Sequence, residues 1–236
     1  MSANISWNSP DIIRDGLVLY LDAGTSNSYN RYSSAGVWKD VNGNNVTGSL
    51  INGPVFDSAN GGSILFDGVD DYVQLPALGL DYPFNLSMIA MVPSAPVVNG
   101  IAVTLSDPTA NNKSVGIGLQ PESAIAQIRA YYYSPSTGFQ TAAQSNPLFD
   151  TVYNISANYT TSNTVLYVNG SLINTLNLVQ TKQWTETSTS YNIARLNRVG
   201  TIYYGGLIFQ TLIYNRTLSS SEILQNYNTT KGRFGL

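Results

Sequence analysis

The side chains in this chain best equipped to make contacts are aromatic: 16 Tyr and 3 Trp, several of them adjacent. In a strand Tyr131, Tyr132 and Tyr133 must alternate, as must Tyr203 and Tyr204, so the rings divide between two faces. Tyr and Trp join a flat apolar body to a polar handle, which suits them to stack on a sugar ring or to anchor a protein interface. Abundant Asn and Ser would supply hydrogen bonds to sugar hydroxyls. Trp38 and Trp184 fall in loop-like contexts and join these tyrosines as contact candidates. Cross-strand packing is the competing use of the same rings.

Other chemistries are closed. With 0 Cys and 0 His, the chain has no disulfide framework, thiolate zinc, Ser-His-Asp or Cys-His nucleophile, or histidine-based pH switch. Only 11% of residues are charged, against ~25% in an average domain, so salt bridges are not expected as a main stabiliser. A net charge of -3 without a basic block argues against a nucleic-acid partner or an anionic membrane surface. No apolar run approaches the ~20 residues that span a bilayer, so no membrane insertion is expected. The opening MSANISWNSPDIIRDG lacks an apolar core and a small-residue cleavage site and does not read as a secretory signal. The Asn-x-Ser/Thr triplets at Asn85, Asn154, Asn158, Asn169 and Asn215 read as chance in so Asn-rich a chain.

Short alternating or β-branched runs, separated by Gly, Pro, Asn and Asp, must position the aromatic residues. LVLYLDA (17–23), SILFDG (63–68), DYVQLP (71–76), FNLSMIAMVP (84–93), GIAVTLSD (100–107), SVGIGLQ (114–120), AIAQIRAYYY (124–133), VYNISANYT (152–160), YNIARLN (191–197) and IYYGGLIFQTLIYN (202–215) read as strands of a sandwich or jelly roll. Gly68-Val69-Asp70-Asp71 reads as a tight connection. Asn169-Gly170 fits a two-residue type I′ hairpin turn, because both positions must take φ > 0. One short helix follows, with Ser219 as N-cap, Glu222 at N3 and Leu218 stapled to Ile223. Its predicted apolar face is Ile223, Leu224 and Tyr227. The expected organisation is an N-terminal arm (1–15), one domain (16–228) and a C-terminal tail (229–236).

The series GLVLYLDA, Trp38-Lys39-Asp40, FDGVDDYV, LYVNG and IYNRTLSSSEI resembles the laminin G-like branch of the concanavalin A-like lectin/glucanase superfamily, over about Gly16 to Tyr227. The resemblance implies an all-β, two-sheet antiparallel jelly-roll sandwich. More narrowly, DGLVLYLDAG and NYNTTKGRFGL resemble structural proteins of tailed bacteriophages within that family. Laminin G-like relatives commonly hold Ca²⁺ at a loop rim through carboxylates and carbonyls. Asp67, Asp70 and Asp71 are the implied ligands, with Asp22 and Asp40 as further candidates, and Asx-type turn hydrogen bonds are the alternative role for these residues. Glucanases of this architecture use paired carboxylates on one strand, about 5 to 5.5 Å apart when configuration is retained. The three Glu do not fit that pattern: Glu122 follows Pro121 in a turn, Glu186 lies in TETSTS, and Glu222 is committed to the cap. Gln210 stands where relatives often carry an acid. The expectation is therefore not an enzyme.

The sequence thus points to a virion protein assembled in the host cytoplasm, as head decoration, fibre or tail component. Its expected partners are other virion proteins, in multiple copies or as a homo-oligomer, with weak adhesion to a host or environmental glycan. Trp7, Ile12 and Ile13 in the arm are the candidate particle anchor. A free carbohydrate-binding lectin-like module is the alternative. No cofactor other than Ca²⁺ is implied.

Overall fold

The computed structural model describes residues 11–29, 36–92, 94, 100–110, 113–120, 127–198 and 201–236. In chain order the strands are β1 (Leu17–Asp22), β2 (Val37–Lys39), β3 (Thr47–Ile51), β4 (Val55–Asp57), β5 (Ser63–Asp67), β6 (Tyr72–Gln74), β7 (Phe84–Val92), β8 (Gly100–Ser106) and β9 (Ser114–Gln120). Then come β10 (Gln127–Ser134), β11 (Gly138–Ser145), β12 (Thr151–Tyr159), β13 (Asn163–Val168), β14 (Ser171–Asn177), β15 (Tyr191–Ile193), β16 (Arg195–Leu196), β17 (Ile202–Tyr203) and β18 (Gly205–Tyr214). Helix α1 (Ser220–Phe234) closes the series.

The first sheet runs β14-β13-β12-β7-β18-β5-β4, with β1 also paired to β18, and the second runs β11-β10-β9-β8-β15-β6-β3-β2. Two antiparallel sheets thus form the expected jelly-roll sandwich. Alternation sends Leu86, Met88 and Ala90 of β7 and Ile155, Ala157 and Tyr159 of β12 inward, against Val103, Leu105, Val115, Ile117, Ile128 and Ala130 of the facing sheet. Burying a side chain of this size stabilises by about 1.5–3 kcal/mol, so the apolar interior carries the fold with little help from charge. Tyr159 stacks on Phe84 with centroids 4.9 Å apart, and its hydroxyl crosses the sandwich to donate to the Gly116 carbonyl at 2.6 Å. The tight connection after β5 carries the chain from one sheet to the other, since β5 and β6 lie in different sheets.

Helix α1 covers the outer face of the first sheet over a polar layer. Asn85 donates to Ser156 and Asn158, and Asn158 both accepts from the Leu218 amide and donates to its carbonyl. Asn85, Asn154 and Asn158 are all buried, which fits chance occurrence of their glycosylation triplets. Asn169 and Gly170 both take positive φ at the β13–β14 turn. The capping box at Ser219 and Glu222 is formed, and Leu218 and Ile223 pack in one cluster.

The structure corrects four expectations. The helix does not fray into a tail after Asn228 but continues to Phe234, closed by Gly235 in the left-handed conformation. Thr229, Thr230 and Gly232 are weak helix formers, but burial of Phe234 against Phe209 and Ile89 overrides local propensity. Leu224 is 46% exposed, and the buried stripe is Ile223, Asn226, Thr230 and Phe234. Ile12 and Ile13 are not a free anchor. Ile12 is buried with Tyr214, Leu218 and Ile223, while the Ile13 amide donates to Asn226 and its carbonyl accepts from Tyr214. Trp7 lies outside the described residues. Finally, β2, β3, β4 and β11 were not anticipated: the first three are only 3 to 5 residues long, and β11 is an edge strand without clear alternation.

Candidate functional site

The second sheet leaves part of its outer face open, and β10 supplies the centre of it. Its alternation puts Ile128, Ala130 and Tyr132 in the core and turns Arg129, Tyr131 and Tyr133 outward. Tyr131 pairs with Gly116 on one side and Thr141 on the other, and Tyr133 with Ser114 and Phe139. At Gly116 an added Cβ would lie 2.1 Å from the Val103 carbonyl and 3.0 Å from the Tyr131 hydroxyl. The bare backbone therefore lets the Tyr131 ring lie flat and reach Thr104 Oγ1 at 2.9 Å.

The β16–β17 hairpin folds back across this face. Its Leu196 packs with Tyr131, while Tyr133 and Ile202 border the contact. The hairpin is pinned from below: Ser106 donates to the Asn197 carbonyl at 2.9 Å, Asn197 donates to the Thr189 carbonyl at 2.7 Å, and Arg195 Nη2 donates to Asn197 Oδ1 at 2.6 Å. Tyr131 is consequently fully buried. Burial pushes its phenol up to about 12, against hydrogen bonds from neighbours and the positive fields of Arg129 and Arg198. It is a platform rather than an acid or base.

Tyr133 and Phe139 stand above it. Phe139 stacks on Tyr131 at 5.4 Å and meets Tyr133 edge-on at 5.6 Å; Phe139 is 40% exposed, and Tyr133 is half-buried. Three guanidiniums lie over rings of this face: Arg129 at 4.7 Å from the Phe139 centroid, Arg195 at 4.2 Å from Tyr72 and Arg198 at 5.8 Å from Tyr133. Such cation–π pairs occupy the guanidinium face and leave its N–H edge to donate in plane. Tyr203 borders Tyr72 at 6.3 Å.

Of the seven predicted aromatic contacts, Tyr133 and Tyr203 therefore reach the surface, and five do not. Trp38 is wholly buried. Trp184 lies edge-on to Phe84 and Tyr82, with its indole N–H donating to the Leu80 carbonyl at 3.2 Å. The inward side of β10 takes Tyr132, whose hydroxyl accepts from Gln183 and from the Thr181 amide. Tyr204 is buried and donates to the Met91 carbonyl at 2.5 Å. Tyr131 lies under the hairpin. A large ring removes the most apolar area from water when it is enclosed, and the sandwich encloses these five. Phe139, Tyr72 and the three arginines were missed; the spacing of Arg129, Tyr131 and Tyr133 at i, i+2 and i+4 was the one available signal.

The carboxylates are elsewhere and largely occupied. Asp67 Oδ1 accepts from the amides of Val69, Asp70 and Asp71 at 2.8, 3.3 and 3.4 Å, and Asp71 Oδ2 accepts from the Asp67 amide at 3.1 Å. These bonds hold Asp67 below its ordinary value, chiefly through the Val69 amide. Burial raises Asp71, with the neighbouring charges of Asp67 and Asp70 adding to it. One ligand oxygen from each of the three lies within 4.8 Å of the others, a spacing compatible with a hard cation, yet the turn by itself accounts for Asp67 and Asp71. Asp40 accepts from the amides of Tyr20 and Asn44, and Asp22 is bound by Arg233. Glu186 is held by Lys182 and Tyr191 and Glu222 by Arg216; Glu122 lies outside the described residues.

Comparison with known proteins agrees with this architecture. Domain 4 of a GH43 extracellular arabinanase from Geobacillus stearothermophilus, solved with arabinotriose, superposes with a TM-score of 0.63 at 16% identity, covering 89% of this chain and 98% of that domain. The Trypanosoma rangeli sialidase gives 0.64 at 16% identity, over 92% of this chain but 33% of the sialidase. The receptor-binding domain of botulinum neurotoxin type G gives 0.64 at 12% identity, over 90% of this chain and 51% of that one. At these identities the likeness concerns the fold. No curated protein matches the sequence. A family model matches residues 67–224, two thirds of the chain, and with the two-sheet topology it assigns this protein to the laminin G-like group of the concanavalin A-like lectin/glucanase superfamily.

Proposed function

We propose that this chain is a non-catalytic carbohydrate-binding module whose contact surface is the outer face of the second sheet around Tyr133 and Phe139. The observation that carries the proposal is that pair: the half-buried ring of Tyr133 and the exposed ring of Phe139, meeting edge-on, on a platform fixed by Tyr131, with arginine N–H donors beside them. A pyranose or furanose ring presents C–H groups that pack on such faces and hydroxyls that accept from such donors. The solved neighbours lend support, one being an arabinanase domain in complex with arabinotriose and another a botulinum neurotoxin whose cell entry depends on two ganglioside molecules. The lack of a free, closely spaced pair of strand carboxylates among the described residues favours binding over hydrolysis.

A glycan array probed with the full chain and with a Tyr133→Ala/Phe139→Ala double variant tests this. Binding lost in the folded double variant is the expected result. Binding that survives it places the contact elsewhere, and no binding by either protein overturns the proposal.

Display of this module on a phage particle is the second reading. The two segments that carry the phage resemblance, DGLVLYLDAG and NYNTTKGRFGL, meet in one corner of the molecule, where Arg233 grips Asp22. Co-sedimentation of the purified chain with particles would support it. With Ile12 and Ile13 packed on their own domain, such contact would not run through those two side chains.

A further inference from the structure

We infer that the glycan received at this face is a linear chain of about five sugars, which crosses the β16–β17 hairpin from the Tyr133 and Phe139 rings to a second contact at Tyr203 and Tyr72. The inference rests on the glycan-binding proposal above and names the ligand class. Of the two predicted contacts that reach the surface, only Tyr133 belongs to the first pair of rings. Tyr203 and Tyr72 are both half-buried, with centroids 6.3 Å apart and planes tilted by 46°. Arg195, the cross-strand neighbour of Tyr203, lies over the Tyr72 ring at 4.2 Å and supports this pair as Tyr131 supports Phe139. The hairpin is already pinned by Leu196 on Tyr131 and by the bonds of Ser106 and Asn197. A second ring pair left half-open therefore adds little to holding it, and suits a ligand better.

Strand register sets the distance between the two contacts. Gln74, Asn192, Thr104, Gly116 and Tyr131 form one cross-strand row from β6 to β10. Tyr72 lies two residues before Gln74 and Tyr133 two residues after Tyr131, and the run of antiparallel pairings makes β6 and β10 point the same way. The rings are thus offset by about 19 Å across the sheet and about 13 Å along it, or about 23 Å on the diagonal. The hairpin lies on that diagonal, with Arg195 over Tyr72 and Arg198 over Tyr133. Each sugar advances a chain by about one inter-strand spacing, so about five sugars join the two contacts. A disaccharide reaches only one. In a longer chain the second contact engages at the effective concentration set by the chain, whereas a chain too short to span gains nothing from it.

The test is a ladder of linear arabino-, xylo-, cello-, manno- and chito-oligosaccharides, from disaccharide to hexasaccharide, bound to the full chain and followed by calorimetric titration of whichever series binds. Wild type should gain little from disaccharide to trisaccharide, then at least about tenfold in affinity on reaching the penta- or hexasaccharide. Tyr203→Ala should remove that rise, so that the hexasaccharide binds no better than the disaccharide. Tyr133→Ala/Phe139→Ala should weaken the long chains as well. Should Tyr203→Ala lose its native near-ultraviolet circular dichroism, nitration of wild type by tetranitromethane, mapped by mass spectrometry, decides: saturating hexasaccharide must shield both Tyr133 and Tyr203, and disaccharide must not shield both. An affinity that does not change with length, or a rise that survives in folded Tyr203→Ala, overturns this inference and leaves the glycan-binding proposal standing. Binding on the glycan array with no member of the ladder bound does the same. Absence of binding on both overturns both.

Discussion

Arg233 donates to both carboxylate oxygens of Asp22, Nη1 to Oδ2 and Nη2 to Oδ1, each at 2.7 Å. The bond ties the last turn of the C-terminal helix to the end of the first strand. Arg233 Nη2 also donates to the Gly61 carbonyl at 2.7 Å, and an added Cβ at Gly24 would lie 1.9 Å from that nitrogen. Gln210 donates to Asp22 from the sheet side at 3.2 Å, so an amide, not an acid, suits this place beside the Asp22 carboxylate. Asp22 is 4% exposed, and removing the guanidinium leaves an enclosed charge. Arg233→Ala should therefore destabilise by about 2–4 kcal/mol, toward the lower end because the arginine itself is partly exposed. Urea unfolding midpoints at pH 7 measure this. A loss no larger than that of an exposed surface substitution would show that Asp22 is already satisfied by Gln210 and local amides.

That corner also marks the limit of what the sequence made legible. The Ser219–Glu222 box and the Asn169-Gly170 turn could be read because their causes lie within four residues. The end of the helix could not, because Phe234 and Arg233 are held by Phe209 and Asp22, remote in sequence. The same reason separates Tyr133 from Trp38 and Trp184. All three are aromatic residues in polar surroundings, and only the tertiary fold decides which is enclosed. The candidate site was half legible: β10 alternation already places Arg129, Tyr131 and Tyr133 together. Phe139 and Arg198 join them through an edge strand of weak pattern and a hairpin that folds back over the sheet.

Glu222 sets part of the acid stability. Arg216 binds it through two bonds, at 2.7 and 3.1 Å, and that pairing, against the cost of burial and helped by Ser219, lowers its carboxyl from 4.5 to about 2. A folded-state value below the unfolded one means stability that is complete above about pH 4.5 and lost as pH falls toward 2. Both side chains are 27% exposed, so solvent screening reduces the contribution to about 1–2 kcal/mol. Glu222→Gln should be less stable than wild type by that amount at pH 7, and the two should converge near pH 2. Parallel stability curves across that range would show that the pairing contributes nothing to the linkage.

Gly170 is required twice over. Its φ is +75°, and an added Cβ would lie 3.0 Å from both Leu224 Cδ1 and Tyr227 Cδ1 of the helix above. Gly170→Ala should therefore destabilise by about 1–2 kcal/mol from backbone strain, with a further cost if the helix cannot shift. Asn169→Gly, which retains the positive φ but loses the Asn169 Oδ1 bond to the Asn154 amide, should cost less. Thermal unfolding of the two variants in parallel gives the order. The reverse order would mean that the Asn169 bond, rather than the close approach at Gly170, holds the hairpin under the helix.

The carboxylates of Asp67, Asp70 and Asp71 give opposite results depending on whether they serve the turn or a cation. A turn needs Asp67 as the acceptor of three amides and makes no demand on Asp70, whereas a cation would need oxygens from all three. If the turn explains the cluster, Asp67→Ala should destabilise by about 1–3 kcal/mol, the cost of leaving those amides without their acceptor. Asp70→Ala should be nearly neutral, and excess Ca²⁺ or a chelator should leave the unfolding temperature where it was. If a cation is held, saturating Ca²⁺ at one hundred times its Kd should add about 2.7 kcal/mol, and Asp70→Ala should abolish that gain. The hydrogen bonds at Asp67 favour the first outcome, because Oδ1 already has its full set of donors. A calcium-dependent rise in unfolding temperature that disappears in Asp70→Ala would refute it.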